Sequence, residues 1–311
     1  MENVNNNNTT IISTGNSTST VTVVDLKRSL IPPKWEESVR NVSINECREA
    51  AMSLAHAFAA DDYAKYLVDP GDAADGVAMS PEGKWKLHVD LMTYSVASHC
   101  LSAMATTIGP DYDSVALWIP PGMSLDGWWT LLRSGMWRLY FTLSAEGRKR
   151  LFEEIIPLLH DTKASVLGDR DADAWYLVYL GTKPNSQGRG YAKRLLEDTI
   201  QKADAENRPM YLESSSPANN VYYAKFGFEV KREISLKRGD NPVRLSVMVR
   251  EPGAARKKAA VPATGSAHNH HAALGVVTGR AGSVPIVGVT KRAAMSAFHV
   301  TPGGGNGVKI G

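Results

Sequence analysis

The part of this sequence best suited to chemistry is a glycine-rich turn between a strand pattern and a helix pattern. Ala174–Leu180 (AWYLVYL) is a continuous apolar run, rich in aromatic and β-branched residues, which is typical of a strand buried on both faces. The chain then enters Gln187-Gly-Arg-Gly-Tyr-Ala192, and apolar residues recur at helical spacing from there to Glu206. Such a turn directs several backbone N–H groups to one point at the positive end of a helix dipole. The sequence therefore predicts an anion site, for which a pyrophosphate is a natural ligand.

Two common pyrophosphate-binding motifs do not fit this turn. A dinucleotide fingerprint requires a third glycine where this sequence has Lys193, and it needs an acidic residue after the following strand to hold the ribose. A nucleoside triphosphate loop needs Gly-Lys-Ser or Gly-Lys-Thr, which is absent here. A tight turn that binds nothing remains the alternative.

A second strand and a second helix are predicted after the turn. Pro209–Glu213 (PMYLE) has the composition of a short strand, and Ser214-Ser-Ser-Pro217 places serine at a helix cap and proline in the first turn. The helix that begins there carries a single stripe at i, i+3, i+4 and i+7, formed by Asn219, Tyr222, Tyr223 and Phe226. Two closing strands are predicted over Phe228–Leu236 and Val243–Val249.

This order of elements resembles the GCN5-related N-acetyltransferase (GNAT) superfamily over residues 174–236. The hallmark of that superfamily, Gln/Arg-x-x-Gly-x-Gly/Ala, reads Gln187-Gly-Arg-Gly190-Tyr-Ala192 here, and LESSSPANNVYYAKFGF is similar to its second signature. The segments VALWIPP, AWYLVYLGTKP and YLESSSPAN resemble the puromycin N-acetyltransferase type of small-molecule enzyme. The resemblance implies a mixed α/β (α+β) fold. Its central sheet would be twisted, mostly antiparallel, splayed at the acetyl-CoA site and flanked by helices.

The resemblance also implies acetyl-CoA as the cosubstrate. The backbone N–H groups of the turn would hold its pyrophosphate, and Arg189 or Lys193 could add charge to the phosphate oxygens. The pantetheine amides would pair with the strand edge at Leu180 and Thr182, and Gly181 is expected to form a β-bulge that opens this edge. The residues predicted to contact acetyl-CoA are Leu180, Gly181, Thr182, Gln187, Gly188, Arg189, Gly190, Tyr191, Ala192 and Asn219.

Two residues are predicted to carry the catalytic proton transfers. The resemblance makes Tyr223 the general acid that protonates the leaving thiolate, with a core-packing tyrosine as the alternative. It also implies an oxyanion contact from a backbone N–H near Leu180. Glu213 is the candidate general base, while a bond to the neighbouring loop or a water relay in place of a base remains open. Direct transfer in a ternary complex is expected, because Cys47 and Cys100 lie outside the motif-bearing part of the chain.

The acceptor must be recognised by the N-terminal half, where aromatic residues are dense. Five of the seven tryptophans lie between positions 85 and 137 and can line a pocket for an amine or fill a core. The adjacent residues Trp128 and Trp129 cannot both face one core stripe, so one is predicted to face a cleft or a partner. The favoured function is acetyl transfer to a primary amine of a small molecule. A protein acetyltransferase for lysine or N-terminal amines, and a non-catalytic acyl-CoA-binding protein, are the alternatives.

Composition divides the chain into three parts. Residues 1–37 begin with a polar Asn/Thr/Ser run, and residues 251–311 carry seven basic residues against one acidic residue. Both ends are predicted to be disordered, because they bury too little apolar surface to offset the entropy of ordering them. The acetyltransferase domain is predicted over residues 38–250.

The remaining features limit partners and location. The formal charge of +3 argues against a nucleic-acid partner, and no apolar run approaches the roughly 20 residues of a membrane-spanning helix. Two cysteines and a polar N-terminus without a signal pattern predict a cytoplasmic protein. No metal is expected, since the four histidines of the tail are too loosely spaced for a site. The sequence leaves the oligomeric state undetermined.

Overall fold

The computed structural model describes residues 30–69, 79–239 and 241–254. The disorder predicted for residues 1–29 and 255–311 concerns residues outside this description. Within it the strands are β1 (Arg40–Asn41), β2 (Met104–Ile108), β3 (Ser114–Ile119), β4 (Trp175–Thr182), β5 (Met210–Ser214), β6 (Glu229–Leu236) and β7 (Val243–Arg250). They form one seven-stranded sheet in the order β1-β2-β3-β4-β5-β7-β6.

Helices cover both faces of this sheet. They are α1 (Lys34–Glu37), α2 (Cys47–Phe58), α3 (Asp62–Val68), α4 (Pro81–Ser102), α5 (Trp128–Ser134), α6 (Leu139–Thr142), α7 (Ala145–Arg148), α8 (Ile156–Leu167), α9 (Tyr191–Ala205) and α10 (Pro217–Ala224). The strands and helices that carry the predicted motifs are confirmed, with ends within about two residues of the prediction.

The pairing of the sheet opens a gap between its central strands. β4 and β5 run parallel, whereas the other neighbouring strands run antiparallel. β4 and β5 pair only over Trp175–Leu177 and Met210–Leu212. Beyond that point β4 stays paired with β3 up to Thr182, and β5 stays paired with β7 up to Ser214. The predicted fold class, a mixed α/β fold with a mostly antiparallel sheet, is confirmed.

The β-bulge expected at Gly181 lies at Val178 instead. Leu117 on β3 pairs with Tyr179, and the next residue of β3 pairs with Leu177, so Val178 has no opposite residue. Gly181 pairs regularly with β3. The expectation is wrong because a glycine in a strand can also mark the close approach of another element. Here helix α2 lies against Gly181.

Gly181→Ala is expected to destabilise the protein by about 1–3 kcal/mol through overpacking. A Cβ at this position would lie 2.9 Å from Ala57 Cβ and 3.0 Å from Phe58 Cε2. The free energy of unfolding in denaturant measures the effect. Gly127→Ala is the matched control, since a Cβ there would meet no atom closer than 3.2 Å. Equal losses in the two variants would contradict the packing argument.

Two apolar cores lie on opposite faces of the sheet. Tyr176 and Val178 of β4 join the core built with α2, α4 and α8, whereas Trp175 and Leu177 join the core beneath α9. This alternation follows from the period of two along a strand. The gap between β4 and β5 therefore has a different core on each of its faces.

The tryptophan-rich segment forms a shorter helix than predicted. The sequence pattern predicts one helical stretch over Leu125–Tyr140. This prediction is wrong, because Gly135 ends α5 in the left-handed conformation with a φ of +82°. Trp128 and Trp129 lie in the first turn of α5 and are 60% and 69% exposed. Neither side chain is therefore part of the core.

The sequence pattern also predicts a helix from Ser144 to about His160, and the helical segment found there is longer. It passes from α7 through a π-helical stretch, Lys149–Ile155, into α8 and ends at Leu167. The polar composition after His160 favours a loop, but Leu159 and Leu167 are buried against the sheet and keep this segment helical.

The folded chain begins earlier than residue 38. The Trp35 carbonyl of α1 accepts the Gly109 N–H at 2.7 Å, and the Arg40 guanidinium lies 4.3 Å from the centre of the Trp35 ring. The disorder predicted up to residue 37 is therefore wrong for α1, which is held at the edge of the sheet.

Candidate active site

The glycine turn has the geometry of an anion site. Gly188 and Gly190 have φ values of +81° and +79°, a region that costs other L-residues about 1–2 kcal/mol. A Cβ at either position would meet nothing within 4 Å, so the space above the turn is open. Gly190 caps α9 without a side-chain bond, and Arg194 N–H donates to its carbonyl at 3.1 Å. The N–H groups of the first helical turn, which precede Arg194, are therefore available to an anion.

Contacts with the loop between β2 and β3 hold this turn in place. The Ser186 hydroxyl donates to the buried carboxylate of Asp113, and the Lys183 N–H donates to the Asp113 carbonyl at 2.8 Å. The Lys183 ammonium group donates to the carbonyl and the carboxylate of Asp111, each at 2.6 Å. These contacts could not be predicted from the sequence, because Ser186 and Asp113 are 73 positions apart.

The predicted acetyl-CoA residues other than Asn219 lie at the end of β4, on the glycine turn and at the start of α9. Leu180 and Thr182 belong to the part of β4 that has separated from β5. The Gln187 side chain donates to the Thr182 carbonyl at 3.5 Å, which braces the turn against the end of β4. Arg189 is exposed on the turn, where it is accessible to phosphate oxygens. The Tyr191 ring is buried in the core beneath α9, so its contribution to an anion site is limited to its backbone, as it is for Ala192.

Helix α10 brings Tyr223 to the α9 side of the gap. The Ser216 hydroxyl caps this helix by accepting the Asn219 N–H at 3.2 Å. Asn219 is buried in this first turn. Tyr223 is buried in the same core as Leu180, and its ring packs edge-on against Phe228 with centroids 5.8 Å apart. Burial, followed by the neighbouring Tyr222, raises the pKa of the Tyr223 phenol above its ordinary value. The phenol is therefore protonated at neutral pH.

Glu213 lies at the end of β5 and is fully buried. Its Oε1 accepts hydrogen bonds from Tyr211 at 3.0 Å and from Tyr176 at 3.4 Å. Its Oε2 has no hydrogen-bond partner among the described residues. Burial raises the pKa of this carboxyl to about 8, although the two phenols and the charge of Lys163 oppose the shift. A carboxyl group that titrates near neutrality can take up a proton from an amine.

The two candidate catalytic residues approach the gap from opposite faces of the sheet. Tyr223 belongs to the core beneath α9, whereas the phenols that hold Glu213 belong to the core with α2, α4 and α8. β4 and β5 separate immediately after the pair Leu177–Leu212, next to Glu213. A thioester placed in this gap would have a proton donor on one face and a carboxylate on the other.

A second carboxylate near the gap, the half-buried Asp61, is not predicted by the sequence patterns. Asp61 caps α3 by accepting the N–H groups of Tyr63 at 2.9 Å and Ala64 at 3.2 Å. Its other oxygen accepts the hydroxyl of Ser215, the residue after β5, at 3.0 Å. Burial raises the pKa of Asp61 to about 6. Asp61 thereby fixes α3 to the end of β5. In the sequence, an aspartate directly before an apolar helix pattern is the signal that could have identified this cap.

A cavity of about 300 Å³ lies behind β4 on the α8 side. Its lining is mainly apolar, with the Tyr176 ring on one side and Lys163 and His160 of α8 among its polar groups. Met123 also lines it and is 52% exposed, so the cavity reaches the protein surface. None of the five clustered tryptophans lines this cavity, and Trp118 packs in the opposite core.

Metal-binding clusters and membrane-spanning helices are both absent from the described residues. That part of the chain holds no group of three or more His, Cys, Asp or Glu residues arranged for a metal ion. Across the same residues, the length and apolarity of every helix fall short of what a membrane crossing requires.

Comparison with known proteins identifies the family. Residues 158–230, which include the glycine turn, Glu213 and Tyr223, match the acetyltransferase (GNAT) domain family. The chain is 37% identical over 237 residues to an uncharacterized N-acetyltransferase of Schizosaccharomyces pombe, and the match covers 74% of this chain and 92% of that protein. The chain belongs to the GNAT acetyltransferase superfamily. This GNAT protein is thus an acetyltransferase, and acetyl-CoA is the usual cosubstrate of its superfamily.

Solved structures give weaker similarities. Arylalkylamine N-acetyltransferase 2 from Aedes aegypti is 18% identical, with 69% of this chain and 98% of that chain covered and a TM-score of 0.45. Histone acetyltransferase HPA2 and related acetyltransferase from Corynebacterium glutamicum is 17% identical, with 69% and 96% covered and a TM-score of 0.44. At TM-scores below 0.5, neither similarity carries an argument about the acceptor.

Proposed function

We propose that this GNAT protein acetylates a primary amine of a small molecule, as its resemblance to the puromycin N-acetyltransferase type implies. The observation that carries the proposal is the enclosure of Glu213. Its side of the gap is covered by helices, and the carboxyl group is fully buried among the tyrosines of β4 and β5. An enclosed carboxylate suits a small acceptor, whereas an extended peptide needs an open groove.

Acetyl-CoA fits the path from the glycine turn to the gap. The free N–H groups of the first turn of α9 would hold the pyrophosphate, and the open space above Gly188 and Gly190 allows its approach. The pantetheine arm would pair with the separated edge of β4 at Leu180 and Thr182. The thioester would then lie in the gap between Tyr223 and Glu213.

The reaction requires two proton transfers. The neutral amine nitrogen bonds to the acetyl carbon, and the carbon–sulfur bond breaks. The Tyr223 hydroxyl gives its proton to the sulfur, and Glu213 takes the proton that the nitrogen loses. The backbone N–H groups of β4 beyond Leu177 supply the oxyanion contact, since β4 is no longer paired with β5 there. The acetyl group passes directly to the amine, without a covalent enzyme intermediate.

A thiol-release assay tests the proposal. Wild-type protein and acetyl-CoA are combined with a panel of small primary amines and, in parallel, with basic lysine peptides. Turnover with one or more of the small amines is expected. Turnover confined to peptides would make the protein a protein acetyltransferase, and tight acetyl-CoA binding without any turnover would make it a non-catalytic binder.

Gly190→Asp is expected to raise the Kd for acetyl-CoA by about tenfold or more relative to Gly190→Asn. Asn and Asp have the same size and both tolerate the left-handed conformation at φ +79°, so they share any backbone strain. Only aspartate places a negative charge against the pyrophosphate. Titration calorimetry at low and high salt measures the difference, which salt should reduce. Equal Kd values would contradict the anion site.

A further inference from the structure

Glu213 needs a route by which its proton can leave. The carboxyl group is fully buried, and on β7 the residue opposite it is the apolar Val247. Its Oε1 accepts hydrogen bonds from the phenols of Tyr211 and Tyr176. A base that accepts one proton in every catalytic cycle must release it again, and such a contact provides a route.

The two phenols differ in their surroundings. Tyr211 is completely buried in the core between the sheet and the helices. Tyr176 lines the 300 Å³ cavity, which reaches the surface near Met123 and can hold water. Tyr176 is thus the tyrosine of the pair that both donates to the carboxyl group and lines a cavity open to the surface.

We infer that Tyr176 transfers the proton of Glu213 to water in this cavity, and that Tyr211 is a positioning residue for the carboxyl group. The inference rests on the proposed function, because it completes the cycle of the base. The protonated carboxyl gives its proton to the Tyr176 oxygen, while Tyr176 gives its own hydroxyl proton to a cavity water. Glu213 returns to the carboxylate, no group is oxidised or reduced, and Tyr223 regains its proton from solvent.

The charged groups around Tyr176 favour a concerted transfer. Burial, followed by the charge of Glu213, raises the pKa of Tyr176 well above its ordinary value, so its phenolate does not accumulate. Tyr63 of α3 also raises the pKa of Tyr176. From α8, the Lys163 ammonium lies 5.9 Å from the centre of the Tyr176 ring and pairs with Asp171. The proton that Tyr176 accepts from Glu213 and the proton that it gives to water must therefore move together.

The variants Tyr176→Phe and Tyr211→Phe test this inference. Each variant removes one of the two hydroxyl groups that donate to Glu213 Oε1, and each keeps the aromatic ring in the core. Loss of a hydrogen bond to the carboxylate is expected to move the pH midpoint of kcat upward by about one unit in both variants. Tyr176→Phe alone should also lower the plateau kcat by about tenfold and increase the solvent deuterium isotope effect, because proton release becomes slow.

The possible results separate the two claims. Equal plateau rates and equal isotope effects in both variants would overturn the relay through Tyr176. An unchanged pH midpoint in both would overturn the positioning role, and the pH dependence of unfolding checks this independently of turnover. Wild-type protein that acetylates no amine would contradict the proposed function, and the relay with it. Wild-type turnover with unaltered variants would contradict both the relay and the positioning role, but not the proposed function.

Discussion

Tyr223→Phe is expected to lower kcat for acetyl transfer by about 10²- to 10³-fold, within the range of general acid catalysis. The raised pKa of Tyr223 keeps the phenol protonated across the working pH range, so a proton is ready when the carbon–sulfur bond breaks. Phenylalanine retains the edge-on packing with Phe228 but has no proton to give. Single-turnover rates of thiol release, together with the Kd for acetyl-CoA, separate lost chemistry from lost binding.

Tyr222→Phe is the control for this variant. Tyr222 is the adjacent residue of α10, is half-buried, and packs against Phe226 with ring centroids 5.2 Å apart. Its hydroxyl has no part in the proposed reaction, so kcat should stay within about threefold of wild type. A similar loss in both variants, or an unchanged rate in Tyr223→Phe, would show that Tyr223 only packs in the core.

The glycine turn and α10 could be predicted because their signals are local. Gly188 and Gly190 need positive φ values, which few other residues adopt, and they stand directly between a strand pattern and a helix pattern. Ser216 and Pro217 announce the start of α10 in the same way. In each case the residues that determine the conformation are neighbours in the sequence.

The surroundings of these elements could not be predicted, because they depend on residues far apart in the chain. The sequence identifies Glu213 as a strand-end carboxylate, but its burial and its bond to Tyr176, 37 positions away, follow from the parallel pairing of β4 with β5. The contact between Ser186 and Asp113 likewise requires the neighbouring strands to be in place. Gly181 shows the same limit, since a strand glycine fits a bulge or a closely packed helix equally well until α2 is located.

Glu213→Gln is expected to lower kcat by about 10²-fold at pH 9 and to remove the pH dependence near pH 8 that Glu213 contributes. Glutamine has the same shape and can keep its bonds to the tyrosines, but it cannot accept a proton from the amine. In the wild type the carboxylate form prevails only above its pKa of about 8, so activity should rise as the pH passes through this value. Any rise that persists in the variant belongs to the amine itself.

The free energy of unfolding provides a second measurement of Glu213. It should fall as the pH rises, whereas kcat should increase. The pKa of Glu213 in the folded protein lies above its ordinary value of 4.5, so the folded state holds this proton more tightly than the unfolded chain. Its stabilising contribution is complete below pH 4.5 and is lost as the pH rises through about 8. Glu213→Gln should therefore flatten the fall in the free energy of unfolding between these limits. If stability flattens while kcat stays near wild type, Glu213 is the buried titrating group, but a water relay takes the proton of the amine.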